Sequence, residues 1–293
     1  MRLRALALVA GIGGIGGIGG IGGIARADVK SDMTDLIEGL PMRSTDKANP
    51  VFSFTNHDAY WSGKDQFGNQ PNFMGSGVDI KNLVTAASAD GKVAWLAADV
   101  KGVPDDGDCA PGPCPPNRDP PLHVTGLAEK SGKDWTWVAW HVAPPLTAKD
   151  QVALAKQNTL PDPIPRDLRK ADEVVKLVEG VLANPAELVK LVSDRKDVVM
   201  YGSAGAERYV GGAKVKKQLA AWNLALKVRD GIQAGLVGEN VAWIAMNLDA
   251  KSMKKPNDKA SPYRLLAILE KSGSAWKIVQ LHFSVDLFTY KKP

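Results

Sequence analysis

Between residues 172 and 182, apolar side chains fall at Val174, Val175, Val178 and Val181. That three-to-four spacing lays one face of an α-helix on a core. Residues 185–192 predict another turn or two of helix, and 213–222 a further helix starting after Gly211 and Gly212. The pattern then changes. A short apolar segment at 198–201 and four longer ones at 226–234, 240–249, 263–270 and 276–285 are bounded by turn residues and predict strands. The N-terminal half follows the same order with weaker helical signals. It predicts a helix at 33–40, a strand at 51–55, a helical stretch at 79–87, and strands at 92–100, 122–129 and 135–142. Helices followed by a run of antiparallel strands argue for an α+β fold, with helices packed on one face of a curved sheet.

The two halves share more than order. EKSGKDWTWVAWH, from Glu129, returns as EKSGSAWKIVQLH, from Glu270, so that Glu129/Glu270, Trp135/Trp276 and His141/His282 keep one offset of 141 positions. VAW at Val93 is answered at Val241, and LIEGL at Leu36 by LVEGV at Leu177. Ordered matches over such a distance imply a duplicated domain and exclude a solenoid repeat. The expected division is a leader at 1–27, a first domain at 28–145, a proline-rich linker at 146–170 and a second domain at 171–293. Between VAW and EKSG the first copy is longer, 34 positions against 27, and the excess coincides with the loop carrying Cys109 and Cys114.

Composition narrows the function classes. At 44% hydrophobic residues, the chain can fill two modest cores. Arg2 and Arg4, an apolar run rich in Gly-Gly-Ile and the Ala25-Arg26-Ala27 triplet read as an export leader, with cleavage expected before Asp28. The expected location is periplasmic or extracellular. Removing three arginines reduces 37 basic residues to 34 against 32 acidic ones, leaving a net charge of +2. That balance, with only Lys214, Lys216 and Lys217 clustered, argues against nucleic acid as a partner. In an exported chain, Cys109 and Cys114 are expected to form a structural disulfide stiffening a short loop. No further ligand stands near them, so no metal is expected.

The second half, with SDRKDVVMYGSAGAERYVGG, NVAWIAMNLDA and YRLLAILEKSGSAWKIVQLHFS set among its helices, resembles the SnoaL-like members of the nuclear transport factor 2-like superfamily. Arg264 on one strand, then Trp276-Lys277-Ile278-Val279 and His282-Phe283-Ser284 on the next, carry most of the likeness. The first half resembles the family mainly through the second. The resemblance implies two tandem cone-shaped domains, each a bent antiparallel sheet wrapped around helices. It also implies a cavity at the wide end that takes a small, largely apolar molecule, and enzymes of this family place an acid or base there.

Strand alternation sets the candidates. On the last strand Trp276, Ile278, Gln280, His282 and Ser284 share one face, and Val279, Leu281, Phe283 and Val285 the other, wholly apolar one. If the apolar face lines the cone, His141 and His282 lie on the outer sheet surface. Two copies can then pack sheet to sheet as an intramolecular pseudo-dimer, burying the tryptophan faces. Expected ligand contacts are Arg264, Tyr209, Tyr201 and Phe283. Glu207 and Asp230 are the only acids considered as bases, and His57 and Asp58, as strand neighbours, point apart. The chain has no G-x-S-x-G elbow, no H-E-x-x-H and no phosphate-cradling loop. These readings point to a protein without a cofactor that binds a small apolar molecule or a protein partner and does no chemistry. The alternative is an isomerase, cyclase or dehydratase using a pocket carboxylate in the second domain.

Overall fold

The computed structural model describes residues 21–39, 50–53, 59–62, 77–103, 121–147, 164–255, 257 and 259–285. In the first unit, α1 (Ile21–Glu38) and the short strands β1 (Pro50–Ser53) and β2 (Ala59–Ser62) precede four long strands. These are β3 (Gly77–Ala87), β4 (Val93–Val103), β5 (Leu122–Ser131) and β6 (Asp134–Ala143). The second unit begins with α2 (Asp172–Leu182) and α3 (Pro185–Leu191), then β7 (Val199–Tyr201), β8 (Arg208–Val210) and α4 (Gly212–Trp222). Four long strands close it: β9 (Leu224–Val237), β10 (Val241–Ser252), β11 (Ser261–Ser272) and β12 (Ala275–Ser284).

Local chemistry accounts for the helices of the second unit. Asp172 and Glu173 stand in the first turn of α2, where negative charge meets the positive end of the helix dipole. Asn184 caps α3 by accepting from the Ala186 backbone N–H at 3.1 Å, and Pro185 takes the first helical position, where no donor is needed. α4 stops at Asn223, whose left-handed backbone (φ 49°) turns the chain into β9.

Each unit is a six-stranded bent sheet, and the strand orders are the same, β2-β1-β6-β5-β4-β3 and β8-β7-β12-β11-β10-β9. In both, the short hairpin joins the long meander in parallel, β1 on β6 and β7 on β12. The likeness extends to an irregularity. The β5–β6 ladder jumps from Leu127↔Ala139 to Ala128↔Trp137, and the β11–β12 ladder from Ile268↔Gln280 to Leu269↔Ile278. One extra residue bulges in each strand, Val138 and Val279, separated by the repeat offset of 141 positions.

That bulge corrects the strand faces read from simple alternation. Trp276 and Ile278 before it, and Leu281 and Phe283 after it, all point into the core of the second unit, beneath α2, α3 and α4. Trp135, Trp137, Trp140 and Val142 likewise fill the first unit's core under Met33, Leu36 and Ile37 of α1. Trp135, Trp137 and Trp140 of β6 and Trp276 of β12 are therefore cone residues, and do not form the face between sheets. The helical stretch expected at 79–87 is also corrected. It is the edge strand β3, paired with β4 along a register interrupted near Asn82, and the pairing overrides the local helical signal.

The convex faces of the two sheets meet. Val138, Ala139 and Leu127 of one unit and Val279, Ile268 and Leu266 of the other belong to a single buried cluster, joined by Trp95 and Trp243. The connection between units is fixed at both ends. Leu146 exchanges backbone hydrogen bonds with Ser203 and Gly205, and Asp167 with Ile232 and Ala234. Gly231 lets that return segment come close, since a Cβ there would sit 1.8 Å from the Ile164 carbonyl oxygen. Cys109 and Cys114, and the side chains of His57, Asp58, Tyr60 and Trp61, lie outside the described residues.

Two glycine substitutions separate crowding from backbone freedom. Gly231→Ala is expected to destabilise the chain by about 1–3 kcal/mol, because backbone cannot yield as a side chain can. Gly180→Ala, in the interior of α2 with nothing within 4 Å of the added methyl, is expected to stabilise by about 0.5–1 kcal/mol. Urea unfolding of both variants checks the pair, and equal midpoints would contradict the close approach.

Candidate ligand site

The second cone keeps a cavity of about 140 Å³. Its apolar wall is Trp222 from the end of α4, Leu224 and Leu226 from β9, Ala250 from β10 and Phe283 from β12. Trp222 and Phe283 meet edge to face with centroids 5.7 Å apart. Ser203, Glu207 and Tyr263 form the polar side. Ser203 hydrogen-bonds to Tyr263. Burial, then the negative charge of Glu207, raises the Tyr263 phenol above its ordinary value, so it stays protonated as a donor. Glu207 is half-buried and accepts from the Ala204 backbone N–H at 2.9 Å. The same two causes, in the same order, raise Tyr209.

A second polar cluster lies between the sheets. His141 and His282, equivalent in the repeat, stack with centroids 4.0 Å apart and are fully buried. Each reaches a hydroxyl of the opposite unit: His282 Nδ1 is 2.9 Å from Thr125 Oγ1, and His141 Nε2 is 2.8 Å from Ser284 Oγ. At one end of this seam Tyr201 donates to Asp99 Oδ1 at 2.8 Å, Asn82 donates to Oδ2 at 2.5 Å, and His123 stacks on Tyr201 at 4.3 Å. At the other end Arg264 Nε donates to Asn247 Oδ1 at 3.1 Å, and Asn247 Nδ2 donates to Asp230 at 2.9 Å. Gln280 Nε2 crosses to the Leu96 carbonyl at 2.7 Å. Burial, helped by the Arg264 charge, holds His141 well below 6.5, and burial with the neighbouring imidazoles does the same to His282. His123 is lowered by burial and partly restored by Asp99. Neutral rings shut away from solvent can hold the units in register.

The four expected ligand contacts therefore separate. Phe283 lines the cavity and Tyr209 packs on the same core without reaching the lining, whereas Tyr201 and Arg264 are fully buried between the sheets. Tyr263, the neighbour of Arg264, takes the inward place, because Leu265, Ala267 and Leu269 face the cone and Leu266 and Ile268 face the other sheet. Strand parity is the signal that would have found it, but both faces of β11 are apolar. A larger hollow of about 480 Å³ between Ser193–Arg195 and the β11–β12 turn is lined by charges already engaged. There Arg195 pairs with Asp197 and Glu270 while Asp194 pairs with Lys216. Among the described residues no group of three His, Cys, Asp or Glu is placed to hold a metal ion, and no helix is long and apolar enough to cross a membrane.

Residues 183–287 match the model of the SnoaL-like domain. The match covers α3 through β12, so it contains the whole cavity lining. Solved structures similar to the chain include a proposed ketosteroid isomerase from Parabacteroides distasonis, 21% identical over 46% of this chain and 94% of that one, with a TM-score of 0.33. A proposed calcium/calmodulin-dependent protein kinase II association domain from Xanthomonas campestris is 20% identical over 42% and 96%, TM-score 0.34. A nuclear transport factor 2-like protein of unknown function from Pseudomonas putida is 10% identical over 38% and 81%, TM-score 0.31. A comparison with curated proteins found no match.

The buried imidazoles make stability depend on pH. Below about 6.5 the unfolded chain takes up protons that the folded rings refuse, so stability is greatest above that pH and falls as the solution is acidified. Each ring that stays neutral contributes a slope of up to about 1.4 kcal/mol per pH unit. Urea midpoints measured from pH 7.5 to 5 are expected to fall steadily, and a flat profile would contradict neutral, buried histidines.

Proposed function

We propose that this chain is an exported protein that binds a small, largely apolar ligand in the cone of its SnoaL-like domain and does no chemistry on it. The observation that carries the reading is the cavity itself, walled by Trp222, Leu224, Leu226, Ala250 and Phe283 and edged by three polar side chains. An apolar wall with a few orienting groups is the usual make-up of a small-molecule site. At about 140 Å³ it suits a ligand of roughly benzene size, like the dry cavity of about 150 Å³ known to take benzene. Export rests on the leader, with Arg2 and Arg4 ahead of an apolar run and Ala25-Arg26-Ala27 behind it. The first unit serves as the partner against which the second sheet is held.

One observation favours a second reading, an isomerase, cyclase or dehydratase: Glu207 places a carboxylate beside Tyr263 at the lining. Proton transfer in such an enzyme would need that carboxylate as its base. Its bond to the Ala204 backbone gives it instead a role in shaping the 203–207 turn, which favours binding without turnover.

Calorimetry and thermal shift with small aromatic hydrocarbons and alcohols test the binding reading. A ligand at tenfold its Kd adds about 1.4 kcal/mol and raises the melting temperature by several degrees. Ala250→Leu, which fills the cavity, is expected to abolish that shift. Failure of every such ligand to stabilise the protein would overturn the proposal.

A further inference from the structure

We infer that the ligand is a linear amphiphile, a polar head on an unbranched apolar chain whose tail runs past Trp222 into the space beneath α3 and α4, and this rests on the cavity being a ligand site. Beside the cavity of about 140 Å³ lies a second hollow of about 10 Å³. The two share four lining residues, Trp222, Leu224, Leu226 and Phe283, which therefore form the partition between them. Past that partition the second hollow reaches Pro185 and Leu188 of α3 and Leu219 of α4. One member of the partition has room to move. Phe283 is buried in the core, whereas Trp222 is half-buried at the last position of α4, where Asn223 turns the chain away. Rotating the Trp222 indole off the Phe283 ring towards solvent joins the two hollows. Such a side-chain rotation is small and fast beside any shift of a helix.

Polarity runs along the joined space. Ser203, Glu207 and Tyr263 stand at one end, and the residues described at the other, Pro185, Leu188 and Leu219, are apolar. A hydroxyl head, which both donates and accepts, suits the first end. The second hollow has room for about one water and, in its described lining, no polar side chain to hold it. Its walls therefore lack contacts that a hydrocarbon tail would supply. A compact ligand fills the first cavity alone, while a chain with one polar end matches both. Each further methylene taken out of water is worth about a fourfold gain in affinity. The partition makes Trp222 the residue that sets how long a chain is admitted.

Butanol, hexanol and octanol, the straight-chain primary alcohols, titrated calorimetrically into the full chain test the inference. The first cavity alone is filled by about six carbons, the number in benzene, so hexanol marks its limit. Octanol is expected to bind about tenfold tighter than hexanol, the gain of two more buried methylenes. Leu188→Phe, which fills the second hollow, is expected to level the series beyond hexanol. A crystal structure of the octanol complex reads the placement without any substitution, and is expected to show the tail against Leu188 and Leu219 with the Trp222 indole turned out. An affinity that stops rising at hexanol would overturn the extended ligand and leave the cavity standing. Octanol keeping its advantage in Leu188→Phe, or its tail leaving the cone for solvent in the crystal, would overturn it as well. Absence of binding by all three alcohols would overturn both readings.

Discussion

The packing of one sheet against the other is the constraint on which the rest depends. A bent sheet with helices on its concave side leaves a convex apolar face that must be covered. Here each unit covers the other, with Val138 and Val279 at equivalent bulges in the contact. The bulges decide which side chains face where. Without them the strand parity beyond Val138 and Val279 would invert, turning His141 and His282 into the cones and Trp140 and Phe283 outward. The cavity in the second unit exists because the bulge points Phe283 inward after Ile278 has already done so.

The polar seam adds specificity to an otherwise greasy contact. The duplicated positions have diverged so that the two copies are complementary. His123 on β5 pairs with Asp99 on β4, while the equivalent places in the second unit hold Arg264 and Asn247. Thr125 and Ser284, which hold the stacked imidazoles, are matched at their own repeat positions by Leu266 and Ala143, which offer no hydroxyl. Each copy is thus equipped for the other copy, and two identical first units would lack the Ser284 partner. Arg195 makes a further link, its guanidinium lying 5.3 Å from the Trp95 ring centroid of the first unit while Asp197 and Glu270 hold its charge.

Much of the fold was legible because the signals were redundant. The helical period in 172–182, the glycine pair before α4 and the repeated strand order all pointed to α+β units, and the four closing strands lie where the pattern put them. The site was less legible for two physical reasons. β11 is apolar on both faces, so parity could not choose between Arg264 and Tyr263, and the residue one place away lines the cavity. The bulge in β12 is invisible to alternation, which therefore put Trp276 and Phe283 on opposite faces although both belong to one core. Ser203 and Trp222 come from a turn and a helix end, far apart in sequence, where only the folded chain brings them together.

The account stands or falls on the two units behaving as one cooperative body through the sheet contact. Native-state hydrogen exchange across a urea series measures this directly, through the opening free energies of β5–β6 and of β11–β12. The account predicts that the slowest amides of both pairs share one opening free energy and one urea dependence. Two separate global openings, with one pair exchanging while the other stays protected, would contradict it.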